Sequence, residues 1–336
     1  MKALICNEPG GLMIIDRPVP IPVDGEVLVR IRRIGICGTD FHIFQGKHPF
    51  LEYPRVMGHE LSGTVESAPA GSGLSHGQNV YIVPYLSCSK CIGCRRGVTN
   101  ACQHIAVLGV HRDGGMAEFL CVPTSNVIPA GEASLDDAAM IEFLAIGAHG
   151  VKRGGVIAED RVLVVGSGPI GMSAIIFAKA RGADVTAMDM RRDRLEFTVG
   201  SLGANRTLFA DGDAEAEARR LTDGDLFDVV IDATGHAGAM QRGFGFVAHA
   251  GRYVLVSVVR QDITFSDPEF HKREMTLFAS RNAQPDDFAE VVKQMGAGRV
   301  PTVALNTHRG ALADAPTLFD DWLRPESGVI KAILEV

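Results

Sequence analysis

Aromatic residues are scarce in this 336-residue chain, at 6% with a single tryptophan, and no block of like charge stands out. Thirty-three Lys and Arg oppose 40 Asp and Glu for a net charge of −7. Without a clustered basic surface, a nucleic-acid partner is not expected. A membrane-spanning run is also missing. The longest uncharged, mostly apolar stretch, 162–178, contains Gly166, Gly168, Pro169 and Gly171, so it reads as strand, turn and helix. The residues from Met1 to Glu8 meet a charge too early to form a signal-peptide core, which predicts a cytoplasmic protein with no membrane partner. Seven cysteines cannot all pair. Four of them, Cys88, Cys91, Cys94 and Cys102, fall within fifteen residues, a pattern that in an unexported chain favours metal over disulfides.

What is present is enough chain for about two domains, each able to bury a core of its own. Thirty-eight glycines and 46% hydrophobic residues read as turn-rich α/β. The first 130 residues are short apolar runs cut by Gly and Pro, such as the near-alternating 26–34 and 61–66, which predict an all-β region with long loops. From about Leu144 the texture changes. Buried-type strands at 161–165, 184–188, 227–231 and 251–257 are separated by helix-length segments, the signature of a parallel sheet. The stretch from Asp211 to Asp228 reads as a solvated helix face and a turn. After about Ser280 the alternation lapses into two helix-like stretches and a terminal strand from Gly328 to Val336, as if the chain returned to its first domain.

Gly166-Ser-Gly168-Pro169-Ile170-Gly171 follows the strand at 162–165 and opens a helix-like segment, 172–180. In that context the first glycine permits the tight turn, the second lets backbone approach a pyrophosphate, and the third lets helix pack on strand. Asp189 lies 18 residues beyond Gly171, where a carboxylate can accept from both adenosine ribose hydroxyls and repel a 2′-phosphate. This favours NAD over NADP, although Arg191 and Arg192 follow closely and an arginine there could hold such a phosphate. Arg194, Ser257, Val258 and Arg281 complete the cofactor-binding candidates.

Cys88-x2-Cys91-x2-Cys94-x7-Cys102 is a closed set of four soft ligands, which suits a structural zinc; Lys90, Arg95 and Arg96 can offset its negative charge. A second set is dispersed: Cys37 in Gly-Ile-Cys-Gly-Thr-Asp-Phe-His42, His59-Glu60 in Gly-His-Glu, and Glu142. One thiolate, one imidazole and one carboxylate with an open position make a catalytic zinc site, yet each residue alone has a plainer structural reading.

The order of these motifs, ending in Glu-x-Leu-Ala-Ile-Gly and the glycine loop, resembles the zinc-dependent medium-chain alcohol and polyol dehydrogenases over essentially the whole chain. The resemblance implies an α/β architecture: a GroES-like catalytic domain, 1–144, completed by 281–336, and a Rossmann NAD-binding domain with a doubly wound parallel sheet, 145–280. It implies two zinc ions per chain, one catalytic and one structural, with NAD as cofactor. Cys37 and His59 become catalytic-zinc ligands, and either Glu142 or Glu60 supplies the third protein ligand. Phe143 stands where the family usually has proline. By the same resemblance Thr39 accepts the substrate hydroxyl's proton and passes it through the nicotinamide ribose to His42, which is otherwise an exposed loop histidine. Zinc-free crystallin-like relatives of this fold lack both cysteine sets seen here.

The segments 54–60, 108–115 and 265–288 look most like the sugar-acid branch, that of L-galactonate 5-dehydrogenase and its near relatives. The implied reaction is transfer of hydride from a secondary hydroxyl of an aldonate to NAD, with polyol or L-threonine oxidation as the alternative. An aldonate carboxylate needs a cation, and Arg281, Lys47, His48 and Arg112 are candidates, a guanidinium being the better fork. Arg281 could equally serve only the cofactor or Glu142. Family analogy adds a homodimer or homotetramer joined through a sheet edge near Tyr253 to Val259.

Overall fold

The computed structural model describes residues 1–48 and 51–336. The chain forms two compact units, Met1–Glu142 with Thr302–Val336, and Phe143–Pro301.

The first unit is built on a seven-stranded sheet. Its strands run in the order Val127–Pro129, Asn79–Ile82, Glu60–Ser67, Glu26–Ile36, Lys331–Glu335 and Asn306–Ala311, with Phe119–Pro123 also paired to Glu26–Ile36. The long strand Glu26–Ile36 is rich in Val and Ile, which suit a pleated surface, and buries Val27, Val29, Ile31 and Ile34. The C-terminal strand pairs with it antiparallel, setting Ala332 opposite Ile36 and Ile333 opposite Gly35. Thus the last residues of the chain sit beside some of the first. Phe319 of helix Ala315–Trp322 closes the same core, edge-on to Phe41 and Phe44 at 5.4 and 5.7 Å. Burying such a ring contributes about 1.5–3 kcal/mol, so the C-terminal segment is an energetic part of this unit.

The second unit carries a six-stranded parallel sheet. Its order is Arg206–Phe209, Asp184–Asp189, Arg161–Val165, Phe227–Asp232, Val247–Leu255 and Thr276–Ala279. Taken in chain order this is 3-2-1-4-5-6, the doubly wound arrangement whose switch point lies between the first strand and the fourth. Helices cover the sheet, so the central strand reads as an unbroken apolar run with Val162, Leu163 and Val164 fully buried. Helix Ala214–Leu221 has the solvated face expected of it, burying only Ala214 and Ala218.

Three expectations need correction. The strand expected at 251–257 runs over Val247–Leu255 and is paired on both sides, so the residues near Tyr253 are no sheet edge. The edge is Thr276–Ala279, a strand too short and too exposed for its periodicity to announce. Beyond Ser280 there are helices at Pro285–Gly296 and Ala315–Trp322, but also an unanticipated strand, Asn306–Ala311. Its polar alternation is what an edge strand shows. Among the described residues no helix is long and apolar enough to cross a membrane.

Candidate zinc and dinucleotide sites

The four-cysteine lobe is local in origin. Cys91 caps the single helical turn Ile92–Arg95, and Cys102 follows the short turn Thr99–Ala101. All four sulfurs lie within 4.8 Å of one another, with Cys91 Sγ 3.5 Å and Cys88 Sγ 3.9 Å from Cys94 Sγ. A tetrahedron of sulfurs about 2.3 Å from a zinc ion has edges of about 3.8 Å, so the cluster has the dimensions the ion requires. Backbone N–H groups of Cys88 and His104 donate to Cys102 Sγ, and that of Gln103 to Cys91 Sγ, at 3.3–3.4 Å. Such donors favour thiolates: the backbone N–H groups of Cys94 and Gln103 pull the Cys91 thiol down to about 6.

The dispersed set converges as well. Cys37 is the N-cap of helix Gly38–Phe44, and its N–H donates to Asp40 Oδ2 at 2.9 Å. His59 precedes strand Glu60–Ser67, and ligand atoms of Cys37, His59 and Glu60 lie within 4.8 Å of one another. Glu142 stands apart from that trio on helix Leu135–Arg153, where its Oε1 accepts a hydrogen bond from the Tyr85 hydroxyl. Thr39 and His42 lie three residues apart on the helix that Cys37 caps, so they share one face and His42 is not a loop histidine. Desolvation and the nearby Lys47 push the His42 imidazole below its ordinary value.

Glu60 is wholly buried, and Lys331 of the C-terminal strand donates to both its carboxylate oxygens at 2.7 Å and to Ile36 O at 3.0 Å. Gly35 lies opposite Glu60 in the sheet, and a Cβ there would stand 2.1 Å from Glu60 Oε2. Only glycine leaves room for the carboxylate. Burial pushes Glu142 up to about 7; His59 opposes this and Glu60 adds to it. Burial alone would push His59 down, but Asp40, Cys37 and Glu142 outweigh it and hold the imidazole well above its ordinary value. Asp40 Oδ1 and His59 Nδ1 are buried, 3.8 Å apart, and neither has a hydrogen-bond partner among the described residues. An anion-rich, desolvated pocket with one sulfur, one imidazole and carboxylates asks for a cation, and this donor set suits zinc.

In the second unit the glycine loop sits where the strand order reverses. Gly166 has φ +92°, open to glycine and strained for other residues. Gly168 caps helix Pro169–Ala180, and a Cβ on it would meet nothing within 4 Å, so the helix N-terminus faces open space. A Cβ on Gly171 would lie 1.7 Å from Gly166 O, which explains the third glycine. Asp189 ends the neighbouring strand, its carboxylate accepting from Ser167 N–H at 2.6 Å and Arg191 N–H at 2.8 Å. Ser257 and Val258 follow the strand Val247–Leu255, and Ser257 lies against Gly235. Loop, carboxylate and open helix end together form a cradle for a dinucleotide.

The family model described as the alcohol dehydrogenase GroES-like domain matches residues 23–132, and that described as zinc-binding dehydrogenase matches 169–297. The chain is 40% identical over 335 residues to L-galactonate-5-dehydrogenase of Escherichia coli K12, covering 99% of this chain and 98% of that protein. This chain belongs to the zinc-dependent medium-chain dehydrogenases. The dehydrogenase is also 32% identical to the starvation-sensing protein RspB of Escherichia coli K12, over 95% of this chain and 96% of that one. The rspB alcohol dehydrogenase of Escherichia coli CFT073, solved with NADH, superposes with a TM-score of 0.94 at 30% identity, covering 100% and 99% of the two chains. The dehydrogenase is accordingly an oxidoreductase of CH–OH groups.

Three residues of the metal pocket went unmarked in the dehydrogenase's sequence: Asp40, Tyr85 and Lys331. Asp40 offered a signal, since it sits inside the Cys37 motif three residues on, the capping-box spacing. Tyr85 and Lys331 offered none, because nothing local distinguishes them from ordinary strand residues. Of the cations considered for a substrate carboxylate, Lys47 and Arg112 are exposed and His48 half-buried in the first unit, while Arg281 is exposed in the second.

Proposed function

We propose that this dehydrogenase oxidises a secondary hydroxyl of a sugar acid, an aldonate such as L-galactonate at carbon 5, with NAD as hydride acceptor. The observation that carries this reading is the 40% identity, over 99% of the chain, to L-galactonate-5-dehydrogenase. Zinc supplies Lewis acidity toward the substrate hydroxyl, and the nicotinamide supplies the hydride acceptor.

Cys37 and His59 hold the catalytic ion in this reading, with Glu60 or Glu142 as the third protein ligand. Two features of the pocket bear on that choice. Glu60 shares the 4.8 Å group with Cys37 and His59 but is tied by Lys331, whereas Glu142 holds only the Tyr85 hydroxyl among the hydrogen bonds described above. Glu142 is therefore the carboxylate with less to surrender on moving to the metal, and Lys331 holds Glu60 back from it. Asp40 Oδ1 lies 3.8 Å from His59 Nδ1, too far for a hydrogen bond, and acts on the imidazole through its charge.

Thr39 receives the proton of the substrate hydroxyl, and His42, on the same helix face, passes it on to solvent. Desolvation and the nearby Lys47 lower the affinity of His42 for protons, which favours its passing a proton on to solvent. Cys88, Cys91, Cys94 and Cys102 hold the structural ion. Asp189 accepts from the adenosine ribose hydroxyls, Gly166 to Gly171 take the pyrophosphate, and Arg194, Ser257, Val258 and Arg281 make further cofactor contacts. A guanidinium suits the aldonate carboxylate best, which favours Arg112 or Arg281 over Lys47 and His48. The working place of the protein in this reading is the cytoplasm. Assembly into a homodimer or homotetramer would use the open edge Thr276–Ala279, where Leu277 is exposed.

NADH formation from NAD with a panel of aldonates, polyols and L-threonine tests the substrate, using protein of verified zinc content. Turnover confined to aldonates is expected. Turnover of neutral polyols or L-threonine instead would keep the zinc dehydrogenase and discard the sugar-acid substrate.

A further inference from the structure

We propose that Asp193 holds the Arg191 guanidinium away from the cofactor, so that a latent 2′-phosphate site is kept closed and the choice of NAD over NADP rests on two carboxylates. This rests on the reading that the adenosine ribose lies at Asp189.

Three arginines follow Asp189 within five residues, a density of positive charge suited to a phosphate rather than to a neutral ribose. The geometry shows why they are not offered to one. Arg191 Nε donates to Asp193 Oδ1 at 3.1 Å and Nη2 to Oδ2 at 2.5 Å, a two-pronged pairing that uses the same fork a phosphate would need. Its backbone N–H is committed to Asp189. Arg191 thus lies between two carboxylates, one on its main chain and one on its side chain. Arg192 is turned onto the Phe209 ring, 4.2 Å from its centroid. Arg194 is half-buried, with its Nη1 out of contact with solvent.

Asp193 stands in the first turn of helix Arg192–Leu202, where a carboxylate also suits the helix dipole. That explains its tolerance at the position but not its pairing with Arg191, two residues back, which a helix-dipole role does not require. The Asp193 side chain is 61% exposed and that of Arg191 38% exposed, so the clamp can be released without disturbing a core.

The test is calorimetric binding of NADH, NADPH and 2′,5′-ADP to the zinc-loaded protein, its Asp193→Asn variant, Arg191→Ala, and the double variant. None of these measurements needs the alcohol substrate. Exposed ion pairs are weak, so Asp193→Asn is expected to tighten NADPH and 2′,5′-ADP about fivefold while NADH changes by less than about twofold. Adding Arg191→Ala should cancel that gain. Absence of any gain overturns the proposal, and so does a gain that survives Arg191→Ala, because the carboxylate would then act by repulsion alone. If the unaltered protein already binds NADPH more tightly than NADH, the ribose reading of Asp189 falls and the clamp with it. That result is read before any variant is made, so the two failures are distinguishable.

Discussion

Replacing Lys331 by methionine would leave Glu60 buried with no ammonium. Both side chains are at most 1% exposed, and the change removes three hydrogen bonds, two of them to the carboxylate at 2.7 Å. Removing one partner of such a pair costs about 3–5 kcal/mol, because the remaining charge is stranded in a low-dielectric site. At about 2–4 °C per kcal/mol for a unit of this size, the expected fall in Tm is about 6–20 °C. Differential scanning calorimetry at matched zinc content would measure it. The companion variant Lys331→Met with Glu60→Gln removes both charges and should recover more than half of the loss, since neutral, well-packed replacements of buried ion pairs are commonly tolerated. A Tm loss below about 2 °C for the single variant, corresponding to less than about 1 kcal/mol, would refute the stranded-charge reasoning. No recovery in the double variant would show that packing, not charge, sets the cost.

Cys37→Ser is expected to abolish turnover and leave the fold and the structural zinc in place, whereas Cys91→Ser should lose one zinc per chain and lower thermal stability. Unchanged stability of Cys91→Ser, with metal content followed by elemental analysis, would contradict the structural role of the cysteine lobe. Gly171→Ala puts a Cβ against backbone at 1.7 Å, so loop or helix must shift. It should cost about 1–3 kcal/mol as overpacking does, and should weaken NADH binding measured by calorimetry. Asp287 is buried and accepts from His149 at 2.7 Å. Burial would raise its carboxyl, but the His149 hydrogen bond and the Gln284 N–H outweigh it and hold the value below the usual carboxylate range. Its stabilisation is therefore present above the ordinary carboxylate value and lost as pH falls through the lowered one. Asp287→Asn should lower Tm at neutral pH and flatten its decline in acid; an unchanged acid limb would remove this pair as a cause.

The parts of the protein readable before its structure are those whose physics is local. The cysteine lobe needs only four thiols spaced so that two short turns can gather them. The dinucleotide loop needs Gly166 for its positive φ and Gly171 for close packing, with Gly168 leaving open space for a ligand, all within six residues of a strand end. Buried parallel strands declare themselves by unbroken apolar runs, as at 162–165, whereas the short edges Thr276–Ala279 and Asn306–Ala311 have no buried face to impose a pattern. The Arg191 clamp lay within reach of Asp189 along the chain, but the rotamers that make it belong to the folded helix start.

The metal pocket divides along the same line. In the sequence Cys37 and His59 each had a plainer structural reading, and only the order of their motifs, through the family resemblance, marked them as candidate zinc ligands. It left Glu60 and Glu142 as equals. Tertiary structure distinguished them by bringing a lysine from 271 residues away onto one and a tyrosine hydroxyl onto the other. Neither partner is marked by spacing or composition, since their positions follow from how the last strand pairs with Glu26–Ile36 and from where the two-residue strand Tyr85–Leu86 begins. A buried charge must find its counter-charge in space, and the chain path that delivers it exists only once the sheet is assembled.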